Sequence, residues 1–240
     1  MLLLIKLVRD TLRAVRSYHQ YCPIAKALDV VGDRWTLLIV RELLLQGPCR
    51  YTDLQQGLPG IATNLLAEWL RDLERQGVIS REEAPPPIAA SLFRLTPRGL
   101  ELEDAIYELG RWGEPLMTER DSRDVYRDRW LALPVRLFVK DALPDGPPVT
   151  IELRPGAELM TIDLRDGQVH TRPGAAENPD LILTGTPEQL VGVLTGQLEL
   201  TTACNQGLSA QGDASVLTRL RPGPSRAGAL DAAAHTERSQ

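Results

Sequence analysis

The sequence predicts two domains of different class: a mostly α N-terminal domain with a small β-hairpin, then an α+β domain. Three observations predict this. Up to about residue 118 the apolar positions recur mainly at helical spacing, broken by two short runs that read as strands. From residue 149 onward, short alternating runs separated by turn residues dominate, with helical stretches between them. Charge divides along the same line. Residues 1–98 carry 13 Lys+Arg against 10 Asp+Glu, whereas residues 99–240 carry 14 against 22. A mildly basic front and an acidic rear fit two jobs in one chain.

The chain has 240 residues, 43% hydrophobic and 25% charged, enough material for one or two packed cores. That composition excludes a mainly disordered or fibrous chain. Cys22, Cys49 and Cys204 are widely spaced, which excludes a disulfide framework, and with three histidines they offer no metal cluster. Reduced thiols, a cytoplasmic location and no cofactor are the expectation.

Residues 1–20 read as an amphipathic extension. The run Met1 to Val8 is interrupted by Lys6 and ended by Arg9-Asp10. It lacks a basic leading region and falls well short of the ~20 residues a membrane span needs, so neither a signal peptide nor membrane insertion is expected. Leu4, Val8, Leu12 and Val15 form a helical stripe that either packs on a partner subunit or belongs to a frayed extension.

Pro23 opens a helix that Gly32 closes, and a second, apolar on most of its surface, runs from Trp35 to Leu45 before Gly47-Pro48. The latter should lie at the centre of a core. A short helix over Thr52–Leu58 has Thr52 as its expected N-cap. After the Pro59-Gly60 turn, a helix from about Ile61 to Gln76 places Leu66, Leu70 and Leu73 on one face. Two short helices joined by a Gly-containing turn make a helix-turn-helix. Val78–Arg81 and Leu92–Leu95 read as strands around a Pro-rich hairpin loop, which completes a winged-helix arrangement. Thr96-Pro97 then caps a long helix with Leu102, Ile106, Leu109 and Trp112 or Gly113 on one stripe. This stripe and the N-terminal one suit either a two-fold interface or intrachain packing.

Several segments, in order, resemble the HxlR family of bacterial winged-helix regulators over about residues 18–118. They are Tyr21-Cys22-Pro23-Ile24, Asp29 to Thr36, Arg50 to Leu54, Gly60-Ile61, Leu70 to Ile79 and Leu95 to Gly99. The resemblance implies double-stranded DNA as partner and a homodimer on a palindromic site. Trp69 stands where the family carries a basic residue, and the wing tip Ala84–Ser91 lacks the basic residue common in family wings. If Leu66, Leu70 and Leu73 face the core, then Asn64, Glu68, Arg71 and Arg75 face away, with Thr63 and Ala67 beside them. Thr63, Asn64, Ala67 and Glu68 are the candidate base readers, being in the N-terminal half of the recognition helix. Arg71, Arg50, Arg81, Arg94 and Arg98 are candidate phosphate contacts, the alternative for each being a solvated charge.

Cys22 precedes Pro23 at a helix N-terminus, where the dipole favours thiolate. The resemblance implies a candidate redox-sensing role; the bland alternative is a small buried hydrophobe. Cys49 and Cys204 are expected to be structural.

Residues 119–130 read as a charged linker, and 131–221 as the α+β domain. Its strands are Val149–Leu153, Met160–Leu164, Val169–Thr171, Leu181–Thr184 and Leu208–Gln211, with Arg165–Gln168 as a hairpin turn. A helix starts at Thr186-Pro187-Glu188, and a closing helix is expected from Asp213 through Leu220. Asp180 to Glu188 followed by Gly207 to Asp213 resembles the sterol-carrier-protein-2-like (SCP2-like) domain. That resemblance implies an apolar cavity able to take lipid-like molecules, the alternative being a purely structural domain. Residues 222–240 are expected to be disordered. The function expected is a DNA-binding transcription regulator, expected to be a repressor, controlled by a hydrophobic effector. A lipid carrier using its winged helix to dimerise is the alternative. No nucleophile–base pair, phosphate loop or metal set suggests an enzyme.

Overall fold

The computed structural model describes residues 17–83, 90–117 and 121–223. Most of the amphipathic extension, the wing tip and almost all of the C-terminal tail lie outside the described residues. The first domain begins with α1 (Pro23–Val31), α2 (Thr36–Gln46), strand β1 (Cys49–Arg50), α3 (Tyr51–Gly57) and α4 (Thr63–Arg75). It continues with β2 (Ile79–Glu83), β3 (Ser91–Leu95), α5 (Pro97–Leu100) and α6 (Glu103–Gly113). The three strands form one antiparallel sheet in the order β1-β3-β2, with Arg81 opposite Phe93 and Cys49 opposite that same Phe93. Burial of Ile39, Leu54, Leu58, Leu66, Leu70, Leu73, Ile79 and Phe93 builds the core beneath it.

Three expectations change. Strand β1, only two residues long, carries no periodicity and was not expected. Thr52 is not the N-cap of α3, because the helix starts one residue earlier. The Arg50 amide instead donates to the Asp53 carboxylate at 2.9 Å. The long helix after Thr96 is divided, since Leu102 N–H bonds back to Gly99 O, three residues away, where an α-helix would reach four. Its start is tight: Thr96 Oγ1 donates to Gly77 O and accepts from Gly99 N–H, and a Cβ on Gly99 would collide with the Val78 carbonyl. The predicted stripe divides with it. Ile106 is buried, whereas Leu109 and Trp112 stand 50% and 62% exposed.

The second domain comprises α7 (Ala132–Phe138), β4 (Val139–Asp141), β5 (Val149–Arg154), β6 (Met160–Arg165), β7 (Gln168–Pro173) and β8 (Leu181–Thr184). Helices α8 (Pro187–Leu194) and α9 (Leu200–Asn205), then β9 (Ser209–Gly212) and β10 (Leu220–Pro222), complete it. Five strands form a mixed sheet in the order β7-β6-β5-β8-β9, in which only β5 and β8 run parallel. The β6–β7 turn places Asp166 and Gly167 at φ 54 and 72, the positive values a two-residue hairpin turn of matching twist demands. Thr186 and Gln189 cap α8 reciprocally, at 3.3 and 3.0 Å.

One apolar face of the sheet carries Ile151, Leu153, Ile162, Leu164, Leu181 and Leu183, all fully buried with residues of α7, α8 and α9 in one core. The expected closing helix is corrected. Asp213 does cap a turn, but residues 214–219 form a 3-10 helix and the chain then extends as β10. Pairing with β4 drives this, because Arg219 must reach the buried carboxylate of Asp141. No helix among the described residues is long and apolar enough to cross a membrane.

Candidate nucleic-acid interface

Helix α4 is strongly two-sided. Leu66, Trp69, Leu70 and Leu73 are buried, so the opposite face must meet solvent. Thr63, Asn64 and Arg71 are exposed with the whole chain in place, while Ala67 and Glu68 are half-buried at the edge of that face. Trp69 lies in the core, so the position that is basic in the family here contributes packing. Arg71 leans along its own helix, its Nε–H donating to Ala67 O at 3.0 Å. The start of α4 is held by a residue the sequence did not single out: Tyr51 donates its hydroxyl to Thr63 O at 2.6 Å. Gly60, at φ 85, makes the turn that brings α3 and α4 together.

The remaining candidate arginines divide into two groups. Arg50 and Arg98 are exposed, at the start of α3 and in α5. Arg81 pairs with Glu83 on its own strand at 3.5 Å, and Arg94 pairs across the wing with Glu82 at 3.1 Å. Arg94 also lines a cleft between the domains, away from the α4 surface residues. Exposed pairs of this kind are worth about 0–1 kcal/mol, so a phosphate can displace either carboxylate.

Cys22 sits half-buried as the N-cap residue of α1, its carbonyl accepting from Lys26 N–H at 2.9 Å. Cys49 is buried; burial, aided by Asp53 and Glu42, pushes its thiol up to about 12, which fits an inert structural role. Cys204 is exposed at the end of α9, so it fills no core and the structural expectation for it is corrected. Among the described residues no three His, Cys, Asp or Glu side chains gather where they could hold a metal.

The second domain is tied to the helix-turn-helix through Glu42 on α2. Its carboxylate is fully buried and accepts from Arg41 Nε and Nη2 at 3.0 and 2.6 Å, and from Gln46 at 2.9 Å. Two further donors come from the segment that enters the second domain, Arg129 Nε at 3.0 Å and the Trp130 indole at 2.7 Å. The Arg41 guanidinium lies 4.4 Å over the Trp130 ring and also reaches Gly57 O at 3.3 Å, at the end of α3. A Cβ at Gly57 would land on the Glu42 carboxylate, so the glycine is required by close approach.

A second tie crosses from α7. Arg136 donates to Glu103 at 2.9 Å and Tyr107 at 2.5 Å in the first domain, and to Thr171 Oγ1 and O in the second. Burial raises the Tyr107 phenol to about 12, so it stays neutral and donates to Glu103. Leu45 of α2 completes the joint by packing in the core of the second domain. The adjacent Arg41-Glu42 pair on a mostly apolar helix was the available signal for this joint, but nothing in the spacing identifies partners 87 and 88 residues away from Glu42.

Comparisons with known proteins divide the chain into the same two regions. The HxlR-like helix-turn-helix family matches residues 30–121, and the SCP-2 sterol transfer family matches residues 145–222. The uncharacterized HTH-type transcriptional regulator YvaP of Bacillus subtilis is 33% identical over 97 residues, 40% of this chain and 89% of that protein. The HTH-type transcriptional regulator YodB of the same organism is 28% identical over 102 residues, 42% of this chain and 90% of that protein. The solved structure of reduced YodB is also similar, with 28% identity and a TM-score of 0.36, covering 42% of this chain and all of that one. The chain belongs to the HxlR-like helix-turn-helix family over its first domain, and behind it residues 145–222 are similar to the SCP-2 sterol transfer family.

Proposed function

We propose that this chain is a cytoplasmic transcription repressor that binds a palindromic operator as a homodimer, answers to an apolar small molecule, and catalyses no reaction. One observation carries the reading: α4 keeps Thr63, Asn64 and Arg71 exposed while its other face is locked into the core and the second domain docks on α2 and α6. Relatives named as transcriptional regulators support it. Thr63, Asn64, Ala67 and Glu68 meet base edges, and Arg71, Arg50 and Arg98 meet phosphates. Two copies join through apolar residues that stand exposed among the described residues: Leu109 and Trp112 on α6, Leu116 and Met117 after it, and Tyr21 and Ile24 at the start of α1. An effector changes operator affinity only by binding two dimer geometries unequally.

Selection from a random DNA pool by the purified protein, with and without a lipid extract, tests this. The expected result is a palindrome whose half-site centres lie about one helical turn (10 bp) apart, with weaker binding in the presence of extract. Absence of enrichment, with binding that vanishes at moderate salt, overturns the regulator in favour of a carrier that uses its winged helix to dimerise. Within the enriched site, Asn64→Ala should change the preferred base at one position, whereas Arg71→Ala should weaken all sequences alike. Each effect is expected at about 1–3 kcal/mol. Altered base preference in Arg71→Ala together with none in Asn64→Ala would overturn the placement of α4 in the groove.

A further inference from the structure

We infer that Arg129 and Trp130, at the entry to the second domain, are positioning residues for the helix-turn-helix: they hold the end of α3 and, through it, the start of α4. The inference deepens the regulator reading, on which its consequence at DNA rests; the geometry stands without that reading. Gly57 closes α3, and its carbonyl is among those that a helix end leaves without an intrahelical donor. Arg41 Nη2 supplies a donor at 3.3 Å. That guanidinium is itself held on two sides, by Glu42 at 2.6 Å and by the Trp130 ring at 4.4 Å.

The Glu42 carboxylate is fully buried, so it depends on a complete set of donors. Arg41 and the Trp130 indole meet one of its oxygens; Gln46 and Arg129 meet the other. Withdrawing Arg129 or the indole leaves buried charge uncompensated, which the site relieves by moving or by admitting water. Arg41 moves with its carboxylate, and the Gly57 carbonyl loses its donor. Arg129 is fixed in turn by the loop between β5 and β6, where Glu158 accepts from its guanidinium and, at 3.1 Å, from its amide. At the other end of α3, Tyr51 donates to Thr63 O in the first residue of α4. A shift at Gly57 therefore reaches Thr63 and Asn64 along a helix of only seven residues. Arg136, the second tie between the same domains, ends instead on Glu103 and Tyr107 of α6.

Amide hydrogen–deuterium exchange of the full chain, without DNA, tests the inference. The Leu58 and Ile61 N–H groups are bonded within the turn, to Gln55 O at 3.3 Å and Leu58 O at 3.1 Å, so their exchange reports its opening. Trp130→Phe keeps a ring under Arg41 and removes only the indole donor; Arg129→Met removes the other donor and the bridge to Glu158. Arg129→Met should speed exchange of these two amides about tenfold and Trp130→Phe about threefold, while β5 and β6 keep wild-type protection. Arg136→Met cuts the other tie and should leave both amides unchanged. Unaltered exchange in Trp130→Phe and Arg129→Met overturns the inference, and if Arg129→Met does not fold, Trp130→Phe alone decides. Equal acceleration by Arg136→Met also overturns it, since any loosening of the domains would then suffice. On an operator from the selection above, Arg129→Met should bind at least about tenfold more weakly with unchanged base preference, because the readers themselves are intact. Full operator affinity despite faster exchange overturns the consequence at DNA. Exchange is measured without DNA, so its failure and the failure of the regulator reading are separate results.

Discussion

Glu42→Ala should destabilise the protein by about 3–5 kcal/mol, the range found when one partner of a buried ionic cluster is removed. The variant leaves the Arg129 guanidinium, 12% exposed, without its α2 acceptor, and deprives the Trp130 indole N–H and Arg41 of theirs. For a chain of this size the loss corresponds to a fall in Tm of roughly 6–20 °C. Gly57→Ala should produce a similar loss without touching any charge, because the new methyl group occupies the space of the carboxylate. The decisive measurement is the double-mutant cycle by urea unfolding. Once Glu42 is alanine, Gly57→Ala should cost nothing or even stabilise α3, since alanine exceeds glycine in helix propensity by about 1 kcal/mol. Equal costs of Gly57→Ala in both backgrounds would show that the glycine is needed for another reason.

Arg219→Ala should cost a comparable amount, about 3–5 kcal/mol at neutral pH, and should reverse the pH dependence of stability at the acid end. Arg219 meets Asp141 with two N–H groups, at 3.2 and 2.6 Å, and donates further to the Pro147 and Leu143 carbonyls. The Asp141 side chain is completely buried. Burial alone would raise its pKa, but the Arg219 hydrogen bonds, the Leu143 amide and the charges of Arg219 and Arg221 together hold it below the ordinary 3.8. A carboxylate depressed in the folded state contributes stability that is complete above its unfolded pKa and is lost as pH falls through the folded value. In Arg219→Ala the same carboxylate is buried without its cation, so its folded pKa moves above the ordinary one. Stability of the variant then rises as pH falls through that region. Urea midpoints measured from pH 7 down to the acid transition should therefore converge for the two proteins; parallel curves would show that Asp141 does not couple to Arg219.

Much of the fold was legible because its elements are amphipathic. Helices α1, α2 and α4 and strands β2, β3 and β5 to β8 follow from spacing, caps and turn residues, and these same features exposed the face of α4. What escaped was either short or non-local. The two residues of β1 and the six of α9, with two adjacent threonines, carry no periodic signal. Helix α7 contains Pro134 in its first turn, where proline is tolerated but reads as an interruption. Strands β4 and β10 define each other, so neither is recognisable alone. For the site, outward-facing residues were legible, whereas Tyr51, Glu42 and Arg136 act through tertiary partners that no local pattern encodes. The charge counts suggested two domains with separate jobs, yet Leu45 of the first belongs to the core of the second.

The Asp141–Arg219 closure has a consequence for synthesis. Its partners lie 78 residues apart. At about 5–20 residues per second, a ribosome delivers the aspartate roughly 4–16 s before the arginine. The helix-turn-helix is fully made by then, as are the Arg129 and Trp130 donors to Glu42, but the side chain of Leu45 must wait, hydrated or chaperoned, for the core of the later domain. The nascent chain thus passes through an interval in which its helix-turn-helix half exists without the completed domain that packs against it.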